Sequence, residues 1–93
     1  MITVTINYKG QIATEVGEDT EELSFQEPLP LIELLQALSA KATHAVSDFI
    51  FDAEGSPRRS LLVAVDDEQV IDFQNTLIKD DCVISLLPPI AGG

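Results

Sequence analysis

Ninety-three residues supply one domain: enough for a modest core, too few for two domains with a catalytic cleft between them. Apolar residues make up 45% and charged residues 23%, the balance of a folding chain rather than a disordered one. Sixteen Asp and Glu against five Lys and Arg leave a formal charge of −11, which argues against nucleic acid or an acidic membrane as partner and for a basic protein surface.

In chain order, the first element is the plainest. Ile2, Val4, Ile6 and Tyr8 alternate with Thr3, Thr5, Asn7 and Lys9, the period of a half-buried strand. Lys9-Gly10 ends it, and Gln11 to Val16 reads as a short helical turn closed by Gly17. Gly17-Glu18-Asp19-Thr20 is a polar turn, and Glu22 to Phe25 reads as a second strand, antiparallel to the first. Pro30 suits the first position of a helix, where its missing N–H costs nothing. Leu31, Leu34, Leu35 and Leu38 then form one apolar stripe on a helix of about three turns, with Glu33, Gln36 and Lys41 off the stripe. Leu29 is a poor cap, so packing must hold this helix.

Ala42 to Arg59 is less regular, with Phe49-Ile50-Phe51 as an apolar anchor and Ala53 to Pro57 as a loop. Leu61 to Val65 is an unbroken apolar run, the mark of a well-buried strand. Asp66 to Gln69 reads as a reversal, with Val70-Ile71 beginning the return. A polar stretch follows Phe73 as far as the Asp80-Asp81 turn. Cys82 to Leu87 is the last strand, stopped by Pro88-Pro89. Strand, strand, helix, then two or three strands predict an α+β architecture. One main helix covers one face of a mixed four- to five-stranded sheet, a count that suits the β-grasp topology.

Few residues offer chemistry. Cys82, the single cysteine, has no internal disulfide partner and no adjacent cation to activate it, so it reads as a sheet residue. His44 has no recognisable motif around it and reads as a surface residue. Asp66-Asp67-Glu68 matches no calcium loop, and a solvated turn is expected there with no metal. Secretory leader and apolar span of the ~20 residues that cross a bilayer are both missing from the pattern, and a cytoplasmic protein is expected.

The C-terminal end differs. Leu86-Leu87-Pro88-Pro89-Ile90-Ala91-Gly92-Gly93 runs from a strand into a tail that ends in two glycines. Frayed termini are common, and an inert tail on an interaction domain is one reading. In the other, Pro88-Pro89 stiffens the exit, Ile90 offers an apolar anchor, and Gly92 and Gly93 pass where only a backbone fits. Six extended residues reach ~20 Å.

ITVTINY as first strand, a Leu-rich helix after a Pro-bearing turn, and the ending LLPPIAGG together resemble the MoaD/ThiS family of ubiquitin-like sulfur carriers, across essentially the whole chain. The chain departs from the family pattern at Asp66-Asp67-Glu68 and Lys79 to Cys82, and its Phe49 to Arg59 segment is similar to that of longer relatives. The resemblance implies residues 1–87 as a β-grasp domain and 88–93 as an extended tail. It implies that the Gly93 carboxylate is the reacting group, adenylated and then converted to a thiocarboxylate. Gly92 would give access, and Pro88, Pro89, Ile90 and Ala91 would steer the tail into a partner. No cofactor is expected on this chain: ATP and Mg²⁺ would belong to an E1-like adenylating enzyme, and sulfur would come from a donor protein. The implied destination is the large subunit of molybdopterin synthase. Cysteine or thiamin biosynthesis and conjugation to protein lysines are the alternatives. In the last strand, Cys82, Ile84 and Leu86 form one row and Val83 and Leu87 the other. The second row is either a docking patch beside the tail or part of a fully buried central strand.

Overall fold

The computed structural model describes residues 1–41, 47, 49–58 and 60–87. The readings made of His44 and of Pro88 to Gly93 fall outside these residues.

Strand β1 (Ile2–Tyr8) buries Ile2, Val4, Ile6 and Tyr8 and turns Thr3, Thr5 and Asn7 to the other face, as its alternation predicts. Helix α1 (Gly10–Val16) follows and tucks Ile12 into the core. It ends at Gly17, whose φ of 86° is left-handed and whose N–H reaches the Ala13 carbonyl at 2.9 Å. Only glycine makes that cap without a Cβ penalty. Strand β2 (Thr20–Phe25) returns antiparallel to β1, with Ile2 opposite Phe25 and Asn7 opposite Thr20. It begins two residues before the predicted start. The Tyr8 N–H donates to the Asp19 carbonyl at 2.8 Å, which extends the ladder into the polar turn.

Pro30 is not the first residue of a helix. It belongs to β3 (Leu29–Pro30), which pairs antiparallel with β6 (Leu77–Ile78), a small ladder that the sequence pattern did not disclose. Helix α2 (Leu31–Lys41) starts one residue later. Its first N–H groups need outside acceptors. Leu31 N–H finds the Thr76 carbonyl at 2.8 Å, and Ile32 N–H finds that of Phe73 at 3.0 Å. The four predicted stripe leucines are all fully buried, each contributing about 1.5–3 kcal/mol. Further on, Ser47, Phe49 and Ile50 are helical, Phe51 N–H bonds the Ser47 carbonyl at 2.8 Å, and Ile50 is fully buried.

Strands β4 (Leu62–Val65) and β5 (Glu68–Val70) form a hairpin whose two turn residues, Asp66 and Asp67, have φ of 49° and 71°. Positive φ at both central positions is what a type I′ turn requires, and its twist matches that of the strands. The return strand therefore begins at Glu68, earlier than Val70, and Ile71 lies beyond it. The prediction of a well-buried strand over Leu61 to Val65 needs correction. Leu61 and Val63 enter the core, but Leu62 and Ala64 face outward and stay partly exposed.

Strand β7 (Cys82–Leu87) matches its predicted bounds. The sheet order is β2-β1-β7-β4-β5, with β1 and β7 parallel and every other neighbour antiparallel. Leu31, Leu34, Leu35 and Leu38 of α2 join Val4, Ile6, Val63, Ile84 and Leu86 in one core on the inner face. This is the β-grasp: a mixed five-stranded sheet curled round one long helix, with the other sheet face left open. Among the described residues no helix is long and apolar enough to cross a membrane.

Candidate functional site: the root of the C-terminal tail and the open sheet face

The strand that leads to the tail is the middle strand of the sheet. β1 runs along one side of β7, from Val4 opposite Cys82 to Tyr8 opposite Leu86; β4 runs along the other, from Val65 opposite Ile84 to Leu62 opposite Leu87. At the tail end, Lys9 N–H donates to the Leu86 carbonyl at 3.1 Å. At the start of the strand, Asp66 grips Val83 twice: its N–H donates to the Val83 carbonyl at 2.8 Å, and its Oδ1 accepts the Val83 N–H at 2.9 Å. Asp81 Oδ1 accepts the Thr3 N–H at 2.8 Å nearby. Leu86 is thus paired on both sides and Leu87, the last described residue, with Leu62 on one, a fixed base for whatever follows it.

The outer row of β7 decides between the two readings of that strand. Ile84 and Leu86 are fully buried beneath the sheet, with partly buried Cys82 packed against the same core. Val83 is 38% exposed, and Ser85 and Leu87 are partly exposed. β7 is central in the sheet yet open on one face. Leu62 and Ala64 of β4 stand on that same face opposite Leu87 and Ser85, so Val83, Leu87, Leu62 and Ala64 make an apolar strip, interrupted by Ser85, that runs along β7 to the tail root. Carboxylates lie at its margin. Glu22 pairs with Thr5, which in turn pairs with Val83, and Asp66 and Asp67 cap the β4–β5 turn.

Leu62 and Ala64 were not singled out from the sequence, because an unbroken apolar run hides which residues face out. The available signal was strand period: if Leu61 and Val63 point in, Leu62 and Ala64 cannot.

Neither Cys82 nor the acidic turn is built for catalysis. Burial pushes the Cys82 thiol up, and the charges of Asp66, Asp81 and Asp80 push it further, so it remains a thiol rather than a nucleophilic thiolate. Asp66 spends its carboxylate on the sheet. Among the described residues no group of three or more His, Cys, Asp or Glu side chains is placed to hold a metal ion. The predicted tail residues Pro88, Pro89, Ile90, Ala91, Gly92 and Gly93 lie outside the described residues, so the structure gives their base and not their course.

The fold and the exposed strip beside the chain's exit define the class: a ubiquitin-like β-grasp protein. The sequence profile of the ThiS family matches residues 6–93, and the chain belongs to that family. No curated protein sequence matches it. Its fold is similar to that of SAMP1 from Haloferax volcanii, at 19% identity and a TM-score of 0.82 over 98% of this chain and 99% of that one. The small archaeal modifier protein 1 (SAMP1) from Methanosarcina acetivorans is 23% identical, with a TM-score of 0.82 over 100% and 98%. A complex of subunits 1 and 2 of molybdopterin-converting factor from Helicobacter pylori contains a chain 24% identical, with a TM-score of 0.64 over 99% and 100%.

Proposed function

We propose that this chain is a cytoplasmic sulfur carrier whose working atom is the carboxyl carbon of Gly93. The observation that carries the reading is the span of the family match, which runs through residue 93 and so takes in Pro88, Pro89, Ile90, Ala91 and the two glycines. A free carboxylate is a poor acyl donor because its charge is delocalised and its oxygen is a poor leaving group. A carboxylate oxygen would attack the α-phosphorus of ATP on an E1-like enzyme, pyrophosphate would leave, and the acyl-adenylate would carry AMP as a good leaving group. The outer sulfur of a persulfide on a donor protein would then attack the acyl carbon and expel AMP. A second thiol would reduce the resulting acyl disulfide, which leaves a C-terminal thiocarboxylate and a disulfide between that thiol and the donor cysteine. ATP, Mg²⁺ and the catalytic groups belong to the partner.

The favoured destination of the sulfur is molybdopterin synthesis, with this chain as the small subunit of the synthase and its tail inserted in the large subunit. Pro-Pro before Ile-Ala-Gly-Gly supports that branch. So does the fold of the molybdopterin-converting factor chain solved together with its second subunit. The apolar strip of Val83, Leu87, Leu62 and Ala64 is the proposed docking surface for both enzymes, because its Leu87–Leu62 end lies where the tail leaves. A second reading, attachment of Gly93 to protein lysines, is favoured by the fold shared with proteins named as archaeal modifiers.

Intact mass spectrometry decides the first step. With adenylating enzyme, ATP and a sulfur source, the chain gains the mass difference of sulfur replacing oxygen, and a chain lacking Gly93 gains nothing. Persistence of the product in the Gly93-deleted chain would falsify the proposal. A ladder of covalent adducts in cell lysate marks the modifier instead.

A further inference from the structure

The sheet ends at β5, and that edge is built to accept another strand. The Asp66 N–H donates across to β7, so even-numbered residues of β4 hydrogen-bond toward β7, and Val63 and Val65 bond toward β5. In the antiparallel partner the same alternation turns Glu68 and Val70 toward β4 and aims the backbone N–H and C=O of Gln69 away from the sheet. No strand among the described residues lies beyond β5. Just past it Ile71 is 86% exposed, the most exposed large apolar residue among those described. Beside this edge lies a groove of about 420 Å³, its apolar floor made by Ile32, Leu61, Leu62, Val70 and Phe73.

Edges of this kind are normally blunted by charge. Here Asp67 and Glu68 stand at one end of the strand and Asp72 at the other, and Arg58 lines the groove with Asp72. A second copy of the chain is a poor occupant. It brings another −11 charges and sets carboxylates against carboxylates. We propose that the β5 edge and its groove bind an extended segment of a partner protein in which apolar and basic residues alternate. Its backbone pairs with Gln69, its apolar side chains enter the groove beside Ile71, and its basic ones meet Asp67, Glu68 and Asp72. This surface lies on the edge of the sheet and shares only Leu62 with the strip proposed for the tail's enzymes, and the inference does not rest on the chemistry of Gly93.

The test uses the isotope-labelled full chain and two end-capped octapeptides, one alternating Val with Lys and the other Val with Glu. With the Lys peptide, the amide signals of Gln69, Val70 and Ile71 shift, Gln69 exchange slows, and binding weakens as salt rises. Gln69→Pro removes the outward N–H from an edge position where proline is tolerated, and weakens binding by about tenfold. Ile71→Asp, which leaves the backbone donor in place, weakens it as well and guards against a folding defect in the proline variant. Shifts centred on Val83 and Leu87, equal binding of the Glu peptide, or undiminished binding by both variants overturn the proposal. So does a dimer in sedimentation that Gln69→Pro abolishes, since the occupant would then be a second copy.

Discussion

Tyr8 and Asp72 titrate in opposite senses. Burial, then the charges of Glu21 and Glu18, push the Tyr8 phenol far above its ordinary 10.0. A group raised on folding contributes stability that is complete below its unfolded value and is lost as pH climbs toward the folded one. The chain should therefore weaken in urea above about pH 10, starting somewhat lower because Cys82 is also raised. Tyr8→Phe should flatten this alkaline limb and leave neutral-pH stability nearly unchanged; an unchanged slope counts against the assignment. Asp72 is lowered, first by the Asn75 side-chain amide at 2.7 Å and then by backbone N–H bonds from Asn75 and Gln74. Its contribution is present above the ordinary 3.8 and disappears as pH falls below it. Asp72→Ala should remove the acid dependence of this turn and lower the midpoint of thermal unfolding, because the turn's Phe73 and Thr76 carbonyls close the start of α2.

The elements make separable predictions. Leu35→Ala, in the middle of the buried stripe of α2, should cost about 2–5 kcal/mol in urea unfolding. Asp67 and Asp66 share positive φ but not partners. Asp67→Gly should stabilise the hairpin by about 0.5–1 kcal/mol, since glycine relieves the left-handed strain. Asp66→Gly should gain the same relief and lose the bond to Val83, and so fall below Asp67→Gly in chemical denaturation. Equal effects would show that the Asp66–Val83 bond carries no stability.

What the sequence disclosed follows the strength of each local pattern. β1 and α2 were legible because one side of each is apolar at the proper period, and burial follows that side. The β3–β6 ladder was not, since two residues have no period and Pro30 resembles a helix start. β4 was legible as a strand but not in its facing, because Leu62 and Ala64 are apolar and lie outside the core. The proposed tail chemistry rests on the resemblance of LLPPIAGG to the family, while the strip beside its root needed the pairing of β7 with β4.

For the whole molecule, charge and the open face act together. A surface at −11 should make association with a basic adenylating enzyme fall steeply with ionic strength, through the association rate more than the dissociation rate. Val83→Asp, on the outer row of β7, should leave thermal unfolding within a few degrees of the parent and abolish enzyme docking in a calorimetric titration. Full docking by this variant would move the interface elsewhere. Position in the sheet also sets how the molecule bears a load. Ile2 opens one strand and Leu87 closes its parallel neighbour, so these two points lie at opposite poles of adjoining ribbons. Tension on a captured tail is therefore met in shear, by cross-links that must yield together and not one after another as in a zip.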